Sequence, residues 1–343
     1  MALVITADDL LNLGPNILLG LILLAVVWDR TSIPGFASTE RRGLMDAINS
    51  CRRGILRTLY AVKLWRKEII SRALRGTASA APRLPDFVVI GAQRAGTTSL
   101  WENVGRHPGI RLPARKELHF FDLNFHRGAP WYMAQFRNCV TSEGKVLVGD
   151  ASPYYMFHPH VASRCSALLP HVRIIVILRN PVDRAYSHYN HEVRSRQERL
   201  SFEDALEAEP VRMDGELARM SIDETYHSFA HAHYSYMARG VYVDQLLAWR
   251  QRFSCEQILL VCSEEFFEDP AKQYQRVLQF LGLRPIPLKK FSDKNKGKYP
   301  KMLPSTRERL VAHFAPHNRR LYAFLNESWP AGELPDFARY WDR

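Results

Sequence analysis

Phe87-Val-Val-Ile-Gly91-Ala-Gln-Arg94-Ala-Gly96-Thr97-Thr98-Ser99-Leu100 is the stretch that decides the fold. Phe87 to Ile90 is a short apolar run rich in β-branched residues, the pattern of a buried strand. Gly91 and Gly96 then open a turn in which backbone N–H groups can converge on one point, and three hydroxyl residues lead into a helical run. Strand, glycine turn and helix start together form an anion cradle, because unpaired N–H groups and the helix dipole both favour phosphate. The spacing approaches a nucleotide P-loop but departs at one position. A Walker loop carries Lys directly after the second glycine, whereas here Thr97 stands there and the cation, Arg94, lies inside the loop. The cradle is therefore not that of an ordinary ATPase or kinase.

A second stretch repeats the logic: Arg173-Ile-Ile-Val-Ile-Leu-Arg179-Asn-Pro181-Val-Asp183-Arg184-Ala-Tyr-Ser187. A strand runs into Arg179, Asn180 can cap a helix, Pro181 suits its first position and Asp183 complements its dipole. Arg179 thus stands at the carboxyl end of a buried strand, where open α/β sheets bind ligands, with a planar guanidinium suited to phosphate. The competing reading is an Arg that merely pairs with Asp183. Further apolar runs at Lys145–Gly149 and Ile258–Cys262 alternate with helical stretches, so the fold class is α/β, with parallel strands and crossover helices.

These residues resemble the donor-binding motifs of the sulfotransferases, which use 3′-phosphoadenosine 5′-phosphosulfate (PAPS). The first loop is similar to their 5′-phosphosulfate loop, and Arg179 with Ser187 to their 3′-phosphate motif. Gly149-Asp-Ala-Ser-Pro153-Tyr-Tyr, Arg239-Gly-Val-Tyr242, Trp249 and the run Ile258 to Gly282 extend the likeness, and Lys294-Asn-Lys296-Gly297-Lys298 resembles a basic loop that closes over the nucleotide. The likeness covers about residues 84–325 and is nearest in kind to the glycan-type and bacterial enzymes. It implies a P-loop-like parallel sheet flanked by helices, PAPS as donor and no metal. Donor contacts are implied at Arg94, Ala95, Gly96, Thr97, Thr98, Ser99, Arg179, Ser187, Lys296, Gly297 and Lys298. Two departures stand out: Arg94 holds a place where the family mostly has Lys, and Ala151 the place of another family lysine. Arg practically cannot release a proton, so Arg94 is expected to stabilise the leaving phosphate by charge and hydrogen bonding alone.

The run Arg115-Lys-Glu117-Leu-His119-Phe-Phe-Asp122 resembles the family's base-bearing segment, which makes Glu117 the expected base, with its pKa raised toward the working range by shielding. His119 is the second candidate base by its intrinsic pKa. A surface carboxylate paired with Lys116 or Arg115 is the plain alternative for Glu117, while Lys116 is also a candidate to hold an acidic acceptor. His227, His231 and His233 imitate a metal set, but no nearby carboxylate completes it and none is expected to bind metal. The polar stretch Gln197 to Arg239 is expected to cover the acceptor cleft. Trp101, Trp131, Trp249 and Trp329 read as core, and Tyr154 and Tyr155 as cleft residues.

The formal net charge of +12 over 343 residues points to anionic partners. The basic residues are dispersed without an aromatic-interleaved motif, so nucleic acid is not expected among them. The five cysteines show neither a C-x-x-C pair nor regular spacing, which gives no zinc ribbon and no disulfide framework. Residues 10–28 are nearly uncharged and long enough to cross a bilayer, so 1–29 reads as a single-pass membrane anchor, the alternative being a hydrophobic helix packed on the main domain. No Lys or Arg occurs before residue 30, whereas residues 30–75 carry a net +8. That bias favours a cytosol-facing catalytic domain, the Golgi lumen being the alternative. Residues 30–83 read as a basic amphipathic stem and linker, suited to an anionic lipid surface or, alternatively, a solvated stem or oligomerisation helix. Residues 84–343 then form the catalytic domain, with a glycan or glycolipid as the expected acceptor. The rival functions are a P-loop-type nucleotide or metabolite kinase, for which Asp150 is the one obvious metal ligand, and a silent binding module on the same fold.

Overall fold

A computed structural model describes residues 83–139, 146–293, 297, 299–330, 332 and 334–342. The anchor expected at 10–28, the basic stem before residue 83 and the side chains of Lys296 and Lys298 lie outside the described residues. No described helix is long and apolar enough to cross a membrane.

The chain begins with β1 (Phe87–Gly91), α1 (Thr97–Val104) and β2 (Ile110–Arg111), then α2 (Gly128–Ala134) and β3 (Leu147–Ala151). It continues through α3 (Val161–Leu168), β4 (Arg173–Leu178) and α4 (Pro181–Arg194). Four helices follow: α5 (Phe202–Met213), α6 (Glu216–Ile222), α7 (Phe229–His233) and α8 (Tyr242–Arg250). Then come β5 (Ile258–Cys262), α9 (Ser263–Glu268), α10 (Pro270–Phe280), α11 (Pro304–Ser328) and α12 (Phe337–Trp341).

The strands form one sheet in the order β2-β3-β1-β4-β5, with every pairing parallel. Every residue of β1, β3 and β5 is buried, which means that both faces of the sheet are covered. Thus the expected α/β class holds, and three of the four expected strands fall within a residue of their runs, while β3 is shifted two residues later. A second apolar cluster joins Val182, Ala185, Phe202, Leu206, Leu310 and Phe314, binding α4 to α5 and α11.

Topology places the site. The chain runs from β1 out to the edge strand β2, comes back to β3 beside β1, then crosses to β4 and β5 on the other side of β1, so the strand order changes direction at β1. Such a reversal leaves a crevice beyond the carboxyl ends of the strands. Register between β1 and β4 shifts after Val89, and the Ala92 N–H donates to the Ile177 carbonyl at 2.7 Å, turning the chain out of the sheet. Gly91 is needed there: a Cβ would lie 2.8 Å from the Met156 Cβ.

Candidate active site

The carboxyl ends of four strands empty into one cleft of about 1050 Å³. β1 delivers Gln93 to Gly96, β3 delivers Pro153 and Tyr154, β4 delivers Arg179, and β5 delivers Ser263 and Glu264.

Gly96 stands at the N-cap of α1 with φ 104°, a left-handed conformation that suits glycine, and a Cβ there would lie 3.1 Å from the Phe267 ring. Arg94 is itself left-handed, at φ 69°. From that bend its Nε donates to Ser187 Oγ on α4 at 3.2 Å. Arg179 Nη1 donates in turn to the Arg94 carbonyl at 3.2 Å. The two anion motifs are thereby joined at one place. Arg179 does not spend itself on Asp183, which pairs with Arg307 instead. Helix α4 starts as its sequence requires: Asn180 Oδ1 accepts from the Val182 N–H at 3.0 Å and Pro181 takes the first position. Burial lowers the Arg94 pKa, helped by the charges of Arg194 and Arg179, so the cradle concentrates positive charge.

Across the cleft, Glu117 and His119 also adopt left-handed φ, at 63° and 49°. Of the four described non-glycine residues with positive φ, three are thus candidate site residues, and strain of this kind gathers at functional positions. Lys116 Nζ bridges Glu117 Oε1 at 2.8 Å and Thr98 Oγ1 at 3.1 Å, tying this segment to the start of α1. His119 Nε2 faces Glu117 Oε2 at 3.7 Å, and its Nδ1–H donates to Asp122 Oδ2 at 2.7 Å. The Asp122 side chain is fully buried and also accepts from the Leu123 N–H.

This arrangement reverses the direction expected for the Glu117 pKa. Burial alone would raise it, but the hydrogen bonds from His119 and Lys116 and their charges prevail, holding it near 2. For His119 burial acts downward, and the hydrogen bonds to Asp122 and Glu117 overcome it, lifting the imidazole to about 10. At neutral pH the pair is a carboxylate beside an imidazolium. A protonated His119 cannot accept a proton, whereas the Glu117 carboxylate can.

Of the residues expected to contact donor, Arg94, Ala95, Gly96, Thr97, Thr98, Arg179, Ser187 and Gly297 line the cleft together with Glu117 and His119. Ser99 does not: its side chain is fully buried in the first turn of α1. Tyr154 lines the cleft, but Tyr155 is buried, accepting from the Phe120 N–H and donating to Asp150 Oδ2. Asp150 also accepts from the Tyr132 hydroxyl and is wholly buried, so it is a structural post under the Phe120–Phe121 segment rather than a metal ligand in the cleft. Trp101, Trp249 and Trp329 are core, whereas Trp131 is half-buried beneath Arg127.

The three histidines that imitate a metal set part company. His231 meets the Tyr154 hydroxyl at 2.7 Å and stacks on Phe157, and His233 bonds Glu192 at 2.9 Å. Among the described residues, no cluster of three or more His, Cys, Asp or Glu could hold a metal ion. The stretch Gln197 to Arg239 gives the cleft Ala232, His233 and Arg239. Unforeseen wall residues include Gln93, His191 and Arg194. The last two follow Ser187 by four and seven positions, one face of α4, a helical spacing the sequence does contain.

Residues 84–320 match the family model for the sulfotransferase domain. A sulfotransferase structure from Alicyclobacillus acidocaldarius is 32% identical, superposes with a TM-score of 0.61, and is covered in full by 76% of this chain. The membrane-associated sulfotransferase kil1 of Dictyostelium discoideum is 24% identical over 72% of this chain and 66% of its own length. Mouse heparan sulfate glucosamine 3-O-sulfotransferase 3A1 is 30% identical over 60% of this chain and 47% of its own length. The chain belongs to the sulfotransferase family. It spans less than two thirds of the length of these curated relatives.

Proposed function

We propose that this protein transfers a sulfuryl group from PAPS to a hydroxyl or amine of a carbohydrate. The observation that carries the reading is the junction of the two anion motifs, where Arg94 reaches Ser187 and Arg179 reaches the Arg94 carbonyl inside one cleft. A donor with phosphate at both ends of its ribose fits such a site: a glycine cradle with a helix start for one end, Arg179 and Ser187 for the other. The donor supplies an activated sulfuryl group. Thr97, Thr98 and Arg94 hold its phosphosulfate end, Arg179 and Ser187 its 3′-phosphate, and the loop around Gly297 covers it, with Lys296 and Lys298 as its cations.

Glu117 then takes the proton from the acceptor hydroxyl or amine as that atom attacks sulfur. His119, fixed by Asp122, keeps the carboxylate aimed at the cleft, and Lys116 links it to the cradle. Arg94 meets the charge that builds on the departing phosphate oxygen, which it can do only by electrostatics and hydrogen bonding. A carbohydrate acceptor is supported by the glycan-directed names of curated relatives, such as the heparan sulfate enzyme above. Membrane attachment through residues 1–29, with residues 30–83 as a stem on an anionic lipid surface and 84–343 facing the cytosol, belongs to the same proposal and rests on the charge bias of the sequence. A kinase is disfavoured, because Asp150 is spent on two tyrosines.

Incubating the full chain with radiolabelled PAPS and a glycan extract of its own cell membranes tests the reading. Label should pass to a carbohydrate fraction, and substituting ATP with magnesium should give no transfer. Phosphorylation without sulfation would overturn it.

A further inference from the structure

Arg239 sits on the turn Ala238–Gly240 before α8, is 1% exposed, and still borders the cleft. Its hydrogen-bond partners are all uncharged. Nη1 donates to Gln93 Oε1 in the cradle loop, and Nη2 donates to the carbonyls of His231 at 2.7 Å and Ala232 at 2.9 Å. The guanidinium carbon lies 5.0 Å from the ring centroids of both Tyr154 and Phe157. Nε is buried with no hydrogen-bond partner.

The carboxylates that act on Arg239 do so from a distance, and each hydrogen-bonds elsewhere. Glu192 is held by His188 and His233, and Glu209 accepts from the Met237 and Ala238 N–H groups. Arg184, also fully buried, adds like charge behind it. Burial, with the Arg184 charge adding to it, pushes the Arg239 pKa down, to about 10.

A cation left without a carboxylate in a low-dielectric wall is costly, and a brace between Gln93 and two carbonyls needs no charge. A neutral amide would offer two N–H donors to these three acceptors with no charge to bury. The Tyr154 and Phe157 rings offset part of that cost, and a full counter-charge would come from an anion received in the cradle next to Gln93.

We propose that Arg239 is a further anion-binding cation of the cleft, whose charge, unpaired with any carboxylate, is completed by the phosphosulfate end of the bound nucleotide. The proposal rests on the donor reading above and names a residue outside both donor motifs.

The test compares wild type, Arg239→Lys and Arg239→Gln of the full chain by titration with adenosine 3′,5′-bisphosphate and inorganic pyrophosphate, with thermal unfolding of the free proteins as a control. Lys keeps the charge and loses the fork; Gln keeps hydrogen bonding and loses the charge. Arg239→Lys should bind both anions within about threefold of wild type, and Arg239→Gln at least about tenfold more weakly, one tenfold step being about 1.4 kcal/mol. Free Arg239→Gln should unfold no earlier than Arg239→Lys. If Arg239→Gln binds like wild type, or both variants weaken equally, Arg239 is only a brace and the inference fails. Should Arg239→Gln not fold, Arg239→Lys alone decides, since a tenfold loss there shows that charge is not what matters. If wild type binds neither anion, the donor reading itself fails and this inference falls with it.

Discussion

Glu117 and His119 show how far a residue's neighbours can redirect it. The carboxylate is held near 2 and the imidazole near 10, so the ion pair persists from about pH 5 to 9. Two outcomes follow. Glu117→Gln should lower kcat by about 10²- to 10⁴-fold, the usual worth of a general base, while leaving adenosine 3′,5′-bisphosphate affinity within about twofold. The same change takes one of two carboxylates from His119, so its pKa, read by NMR titration, should fall below that of wild type. Stability follows with definite signs. His119, raised in the folded protein, contributes stability that is complete below its ordinary value near 6.5 and is lost as pH climbs toward about 10. Glu117, depressed, contributes stability that is present above its ordinary value near 4.5 and is lost as pH falls toward about 2. The expected raised pKa for Glu117 went astray for a physical reason: sequence displays burial-prone positions, but not that Lys116 and His119 both fold back on one carboxylate.

At the scale of the element, the loop between β1 and α1 depends on the left-handed Gly96. Gly96→Ala should cost about 1–3 kcal/mol through the strained φ and should press on Phe267, so nucleotide affinity should fall with it. Calorimetric unfolding together with nucleotide titration checks both; unchanged affinity would separate the turn from the site. The helix that follows β4 was legible to single residues, because Asn180, Pro181 and Asp183 obey local capping chemistry that needs no tertiary context. Strand β2 was not: Ile110–Arg111 is two residues long, too short for any period to register. Arg239 escaped for a different reason. The Arg239-Gly-Val-Tyr242 likeness carries no spacing that points Arg239 to the cleft, and its contacts with α7, Tyr154 and the cradle loop arise only in the fold. Ser99 shows the converse, a hydroxyl in the right motif that the helix turns into the core.

The whole molecule carries buried neutral histidines whose cost is collective. Burial depresses the pKa values of His158, His188 and His231, with nearby cations adding to it and, at His188, the Glu192 hydrogen bond opposing it; His158 falls to about 2 and His231 to about 3. The unfolded chain therefore takes up protons below about 6.5 that the folded chain refuses, and stability should fall steadily as pH drops from there. Scanning calorimetry from about pH 7 to 5 should show a falling midpoint, and His158→Gln should flatten the slope. The central assembly is larger still: two strand tips 85 residues apart joined across one cleft. Calorimetric titration of wild type and Arg179→Ala with adenosine 3′,5′-bisphosphate and with adenosine 5′-phosphate tests it most directly. A two-ended grip predicts that wild type prefers the bisphosphate by at least about tenfold, near 1.4 kcal/mol, and that Arg179→Ala loses the preference while still binding the monophosphate. Equal affinity of wild type for the two nucleotides, or an Arg179→Ala variant that keeps the preference, would contradict it.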